Sequence, residues 1–251
     1  MTTWILLRGL MRDSRHWGGF VDEFQHAMPH SRVLALDLPG NGALHRQASP
    51  GSVPAMVAHC RAQLLACGIQ PPYALLAMSL GAMVAVAWSA AHPHEVSRQV
   101  LINTSLRPFS PFYQRLRPAN YRQLLRLALL SASAESWERA ILNLTSNHAC
   151  ATPEAILPQW LAWRQTNPVS RVNALRQLVA AARYQAALAP PLVPTLLLAS
   201  EQDRLVSVAC SKALARHWHC ALRLHPSAGH DLPLDDPTWV AAQVRSLLLP
   251  A

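Results

Sequence analysis

Short apolar runs alternate with segments of helical periodicity along the first hundred residues. The runs Trp4–Arg8, Arg32–Asp37, Tyr73–Met78 and Gln99–Asn103 predict strands. Between them, apolar positions recur every three to four residues over Trp17–Met28, Val53–Cys67 and Gly81–Ala91 and predict helices, with Asp13 or Ser14 available to cap the first. Runs such as Tyr73–Leu76 and Leu196–Leu198 are apolar without interruption, as strands covered on both faces require. The alternation predicts βαβ units and a mostly parallel central sheet flanked by helices, an α/β fold.

The rhythm changes after Asn103. From Thr104 to Pro190 the strand-like runs stop, and Tyr121–Leu130, Ala134–Leu144, Pro153–Arg164 and Val169–Ala187 all carry helical spacing, punctuated by prolines. Strand patterns return at Val193–Ala199 and Ala221–Leu224. Residues 104–190 are therefore expected to be a helical insertion, a cap or lid, between two halves of one core, 1–103 and 191–251.

The junction of the third strand and the helix after it reads Leu75-Leu76-Ala77-Met78-Ser79-Leu80-Gly81-Ala82-Met83. A small-x-Ser-x-Gly pattern at a strand-to-helix turn is a nucleophile elbow, which exposes a serine hydroxyl at the end of a sheet. The competing reading makes Ser79 only the N-cap of the helix. Downstream, a strand pattern is followed by Ser200-Glu201-Gln202-Asp203-Arg204, and another by Ser227-Ala228-Gly229-His230-Asp231. His230 on such a loop can reach a serine hydroxyl as general base. Asp203 can accept the other imidazole N–H and fix the tautomer. Asp231 is a competing acid, disfavoured because neighbouring side chains on an extended loop diverge.

With these residues in the order Ser, Asp, His, the chain resembles the α/β-hydrolase superfamily, in its capped, single-domain serine esterase form. Leu36-Asp37-Leu38-Pro39-Gly40-Asn41-Gly42 resembles the family's Asp-x-Pro-Gly-x-Gly loop, where Asp37 is expected to order the turn. Leu6-Leu7-Arg8-Gly9-Leu10 resembles the strand end that usually reads His-Gly. The resemblance implies the α/β-hydrolase fold, Ser79 as nucleophile, Asp203 and His230 as partners, and an oxyanion hole from the backbone N–H groups of Leu10 and Leu80. It implies a small or medium-chain carboxylic ester as substrate, an acyl-enzyme intermediate and no cofactor. The sequence departs from the family at Arg8, where His is usual, and at Ala77, where the first Gly is usual. Arg8 either binds a substrate carboxylate or braces its loop, and bracing is the expectation. Phe109, Phe112, Tyr113, Trp160 and Trp163 are candidates for the acyl pocket, set against the alternative that they pack the cap's own core. His16, close after the oxyanion loop, is a further candidate set against a surface role.

Charge adds one alternative. The formal charge is +9 with a single lysine, Lys212, and ten arginines fall between Arg107 and Arg183 against Glu135, Glu138 and Glu154. A basic cap can steer an anionic substrate or an acidic acyl carrier protein, as in capped esterases that act on carrier-bound esters; solvated arginines without a partner are the alternative. No motif accompanies the charge that would indicate nucleic-acid binding. The histidines are dispersed, and no metal site is expected. No apolar run reaches the ~20 residues of a membrane span. The N-terminus enters a strand pattern directly, so no secretory leader is expected. Five scattered cysteines (Cys60, Cys67, Cys150, Cys210 and Cys220) point to free thiols in a reducing compartment, and so to a cytoplasmic protein.

Other reactions compatible with the same serine are thioester hydrolysis, acyl transfer and hydrolysis of a carbon–carbon bond. A dehalogenase would need Asp at position 79. A ligand receptor without catalysis usually lacks a triad member, and here all three are present.

Overall fold

The computed structural model describes residues 1–129, 133–148 and 152–247. Its centre is a six-stranded sheet of β1 (Thr2–Leu7), β2 (Ser31–Leu36), β3 (Tyr73–Met78), β4 (Val96–Ile102), β5 (Thr195–Ser200) and β6 (Ala221–His225), in the order β2-β1-β3-β4-β5-β6. Every neighbouring pair is parallel. The strand order reverses at β1, which has β2 on one side and β3 on the other. Ligands of open parallel sheets bind at such a switch point, beyond the carboxyl ends of the strands. Leu7 at the end of β1 is level with Ala77 of β3, so the loop after β1 emerges beside Ser79.

Side chains alternate between two cores. Ile5, Leu7, Leu75 and Ala77 point to one face, where α2 (Val53–Ala66), α3 (Leu80–Ala91) and α9 (Val208–Trp218) pack. Trp4, Leu6, Ala74, Leu76 and Met78 point to the other, covered by α1 (Phe20–Ala27) and α11 (Pro237–Ser246). Both faces are covered, which explains why the inner strands β3 and β5 read as continuous apolar runs. α3 is buried from Leu80 to Ser89 and lies close against β1. A methyl at Gly81 would sit 2.3 Å from the Leu7 carbonyl oxygen and 2.6 Å from that of Arg8, so only glycine lets this helix approach the strand end.

Between β4 and β5 the chain forms α4 (Phe112–Arg115), α5 (Tyr121–Leu129), α6 (Ala134–Thr145), α7 (Leu157–Thr166) and α8 (Arg171–Arg183). Leu142, Leu157 and Trp160 form a small core there, joined by Ile141, Trp163 and Leu234. Leu234 belongs to α10 (Leu232–Asp235), the short helix after the His230 loop. α8 is inverted relative to an ordinary amphipathic helix. Its buried face carries Asn173, Gln177 and Ala180, while Val172, Leu175 and Leu178 are exposed.

Several boundaries differ from the periodicity. The helix expected over Trp17–Met28 is split into a 3-10 turn, Ser14–Trp17, and α1, because Gly18 adopts φ +53° and ends the turn. Asp13 caps that turn through the Arg15 N–H. The helix expected over Pro153–Arg164 begins as a 3-10 turn, Pro153–Ala155, before α7. α9 and α11 were not distinguished by pattern. Leu130 and Cys150 lie outside the described residues; the four described cysteines are free thiols. Among the described residues no helix is long and apolar enough to cross a membrane.

Candidate active site

Ser79 follows the last residue of β3 and precedes the first of α3. Its backbone has φ +54° and ψ −116°, a region that non-glycine residues rarely enter and that costs roughly 1–3 kcal/mol. Its N–H is tied to the Ile102 carbonyl at the end of β4 (3.0 Å), and its carbonyl accepts from Ala82 and Met83. The side chain makes no capping hydrogen bond, so a role as helix N-cap does not account for this serine. The Leu80 N–H is the first of α3 and has no acceptor within the helix. Ala77 is fully buried between the two neighbouring strands and fits without displacing them.

His230 lies on the loop after β6 and Asp203 on the loop after β5, and both are buried. The His230 Nδ1 is 2.7 Å from Asp203 Oδ2. The other oxygen, Oδ1, accepts the N–H groups of Leu205 (2.7 Å) and Val206 (2.9 Å). With one oxygen held by backbone donors, the second is left facing the imidazole. The His230 loop is held in turn by Asn103, at the end of β4. Its Nδ2 donates to the His230 carbonyl (2.7 Å), and its Oδ1 accepts the Ser200 N–H (2.8 Å). From the helical segment, the Thr145 carbonyl accepts the Asp231 N–H (2.6 Å). Asp235 accepts from the Gly229 and Asn147 N–H groups and from the Ser146 hydroxyl.

The loop after β1 closes the other side. A methyl at Gly9 would lie 3.2 Å from the Ser79 Cβ and 3.7 Å from its Oγ, so this loop rests on the serine. Met11 turns at φ +57°, and its N–H donates to the Gln177 side chain of α8 (2.9 Å). Gln177, wholly buried, also donates to Asn41 Oδ1 (2.8 Å) and Ser49 Oγ (3.0 Å). Arg12 pairs with buried Glu138 of α6 (2.7 Å) and lies over the Trp160 ring. Glu138 also pairs with Arg164. Burial alone would raise its carboxyl, but the two guanidinium groups hold it below the ordinary value. Asp37 orders the adjacent loop by accepting from Ser14 N–H (2.7 Å) and Ala43 N–H (2.8 Å). A side chain at Gly42, which has φ +50°, would strike the Asp37 carboxylate.

Asp231 does not share His230 with Asp203. Its carboxylate is paired end to end with Arg8, at 3.0 and 2.5 Å, with both side chains buried. Arg8 also lies against the Trp17 ring. Of the pocket candidates, Trp160 and Trp163 flank His16, at ring separations of 5.6 and 5.1 Å, and Trp160 is buried. Phe109 packs on His217 and Trp218 of α9. Phe112 and Tyr113 meet edge to face and are exposed. The structure thus gathers Arg8, Trp160 and Trp163 around the loop after β1 and leaves Phe109, Phe112 and Tyr113 apart from them.

His16 is buried between helix and loop. The His16 Nε2 lies 3.2 Å from the Arg12 guanidinium, and its Nδ1 faces both the Asp13 N–H (3.2 Å) and the Asp13 carboxylate (3.1 Å). Burial, then the nearby Arg12 charge, lowers its pKa to about 4. The unfolded chain takes this proton near the ordinary value and the folded one resists it. The contribution of neutral His16 to stability is therefore full above the ordinary histidine pKa and is lost as pH falls toward about 4. The loss is on the order of 3 kcal/mol. In urea unfolding, His16→Gln should remove most of that dependence between about pH 7 and about pH 4.5; an unchanged slope would place the proton elsewhere.

The alpha/beta hydrolase family model matches residues 4–243. The chain belongs to the alpha/beta hydrolase family. It has the α/β-hydrolase fold. A curated relative, the biotin biosynthesis bifunctional protein BioHC of Cellvibrio japonicus, is 29% identical over 96% of this chain. The chain spans about half of that relative, 46% of its length. Among solved structures, a hydrolase from Pseudomonas aeruginosa is 22% identical with a TM-score of 0.74, covering 99% of this chain and 90% of the other. A thermophilic esterase from Thermogutta terrifontis is 19% identical with a TM-score of 0.73, covering 99% and 89%. At these identities the two structures speak for the shared hydrolase fold.

Proposed function

We propose that this hydrolase cleaves a carboxylic ester through an acyl-enzyme on Ser79. One observation carries the reading: at the carboxyl edge of the sheet, a serine in strained backbone geometry has an uncapped hydroxyl, and a buried histidine is fixed by a buried aspartate. His230 takes the Ser79 proton as Oγ attacks the ester carbonyl. Asp203 keeps the Nδ1 proton in place and stabilises the imidazolium. The Leu10 and Leu80 N–H groups receive the tetrahedral oxyanion. His230 then protonates the leaving alcohol. In the second half it deprotonates water, which releases the acid and restores Ser79.

Residues 104–190 act as the cap over a core of 1–103 and 191–251. The cap also builds the site, since Gln177, Glu138 and Thr145 hold the two loops that carry Leu10 and His230. The free thiols fit a cytoplasmic location.

A second reading is an ester or thioester carried on an acidic acyl carrier protein. Two observations favour it: the curated relative acts in biotin biosynthesis by its name, and Arg122, Arg126, Arg171, Arg176 and Arg183 are exposed on α5 and α8. A panel of p-nitrophenyl esters of increasing acyl length, run beside acyl thioesters and a carrier-bound methyl ester, tests both. Ester turnover with an optimum at small or medium chains supports the first. Turnover confined to the carrier-bound substrate and lost at high salt supports the second. No turnover of any substrate contradicts both.

A further inference from the structure

Arg8 and Asp231 flank the two residues that matter most to the proposed chemistry. Arg8 precedes Gly9, whose loop rests on Ser79, and Asp231 follows His230. Both side chains are about 97% buried or more, and the guanidinium grips the carboxylate through two hydrogen bonds. The Asp231 charge reaches the imidazole, and unopposed it would add to that of Asp203 and favour the protonated ring, which cannot act as a base. We propose that Arg8 is a positioning residue: it neutralises Asp231, leaves Asp203 as the one effective anion on His230, and ties the oxyanion loop to the histidine loop. This rests on the Ser79–His230 reading above.

The surroundings support a charge role. Asp203 meets His230 from the loop after β5, with its own carbonyl bound by Arg117. Arg12 adds positive charge near Asp231 but is itself paired with Glu138. His16, which feels both Arg8 and Arg12, is neutral. Burial would raise the Asp231 carboxyl, yet Arg8 keeps it below its ordinary value, so it remains an anion that needs its partner. Both terminal nitrogens of Arg8 are engaged by Asp231 and its Nε is buried, so the side chain at this position brings a counter-charge rather than a group open to a substrate carboxylate.

The test uses the rate at which a fluorophosphonate probe labels Ser79, measured against pH, which needs no knowledge of the substrate. Arg8→Met leaves the Asp231 anion unopposed, and the acid limb of the profile should move up by about one pH unit. Asp231→Asn leaves the Arg8 cation unopposed, and the limb should move down by about as much. The double variant, which leaves neither charge, should return it to the wild-type position. Shifts in the same direction, or none in either single variant, overturn the proposal, because a purely structural brace would lower the rate without opposite displacements. If Arg8→Met does not fold, Asp231→Asn and the double variant still decide the sign. Failure of the wild type to label would instead reject the Ser79 reading itself.

Discussion

Replacing Ser79 by Ala should lower ester hydrolysis by about 10⁴-fold or more, with little change in thermal stability. The two expectations have one cause. The backbone strain at φ +54° is imposed by the β3–α3 junction, and Ala keeps the Cβ that is subject to it. The hydroxyl makes no capping bond whose loss would weaken α3. Only the nucleophile is removed. Steady-state kinetics beside a melting curve checks both parts, and an active Ser79→Ala enzyme would mean that another group attacks.

Asp203→Asn should lower kcat by about 10⁴-fold while leaving KM within a few-fold. The local bonds explain why an isosteric change is so damaging. Leu205 and Val206 both donate to one oxygen of the side chain, so in the amide that site must be taken by the carbonyl oxygen. The NH₂ is then turned toward the His230 Nδ1, which has to accept. The imidazole proton moves to Nε2, and the nitrogen that should take the serine proton is already protonated. Residual activity should rise with pH as hydroxide replaces the lost base. A kcat within tenfold of wild type would show that Asp203 does not orient His230.

Ser79 and Asp203 stand out as candidates in the sequence because each follows a continuous apolar strand run, and His230 because its loop follows a short strand-like run; strand ends are where a parallel sheet presents its chemistry. The alternation of strands and helices up to Ile102 was legible for the same reason: burial on two faces leaves an unbroken pattern. What was hidden is the polar framework. Gln177 and Asn173 face inward on α8 while Val172, Leu175 and Leu178 face outward, so periodicity assigns that helix the wrong buried face. Glu138 is buried by two arginines distant in sequence, which no local pattern encodes. Asn103 reads as the polar end of a strand; that it holds the His230 loop emerges only when β4, β5 and β6 are side by side. Arg8 stood out as a departure from its family, and Asp231 as an extra acid. Their pairing across 223 residues required the fold.

The most direct test of the central claim is to label the protein with a fluorophosphonate and map the adduct by peptide mass spectrometry. One adduct per chain is expected, on Ser79, formed far more slowly in His230→Ala. An adduct on another residue, or none on a folded chain, would contradict it.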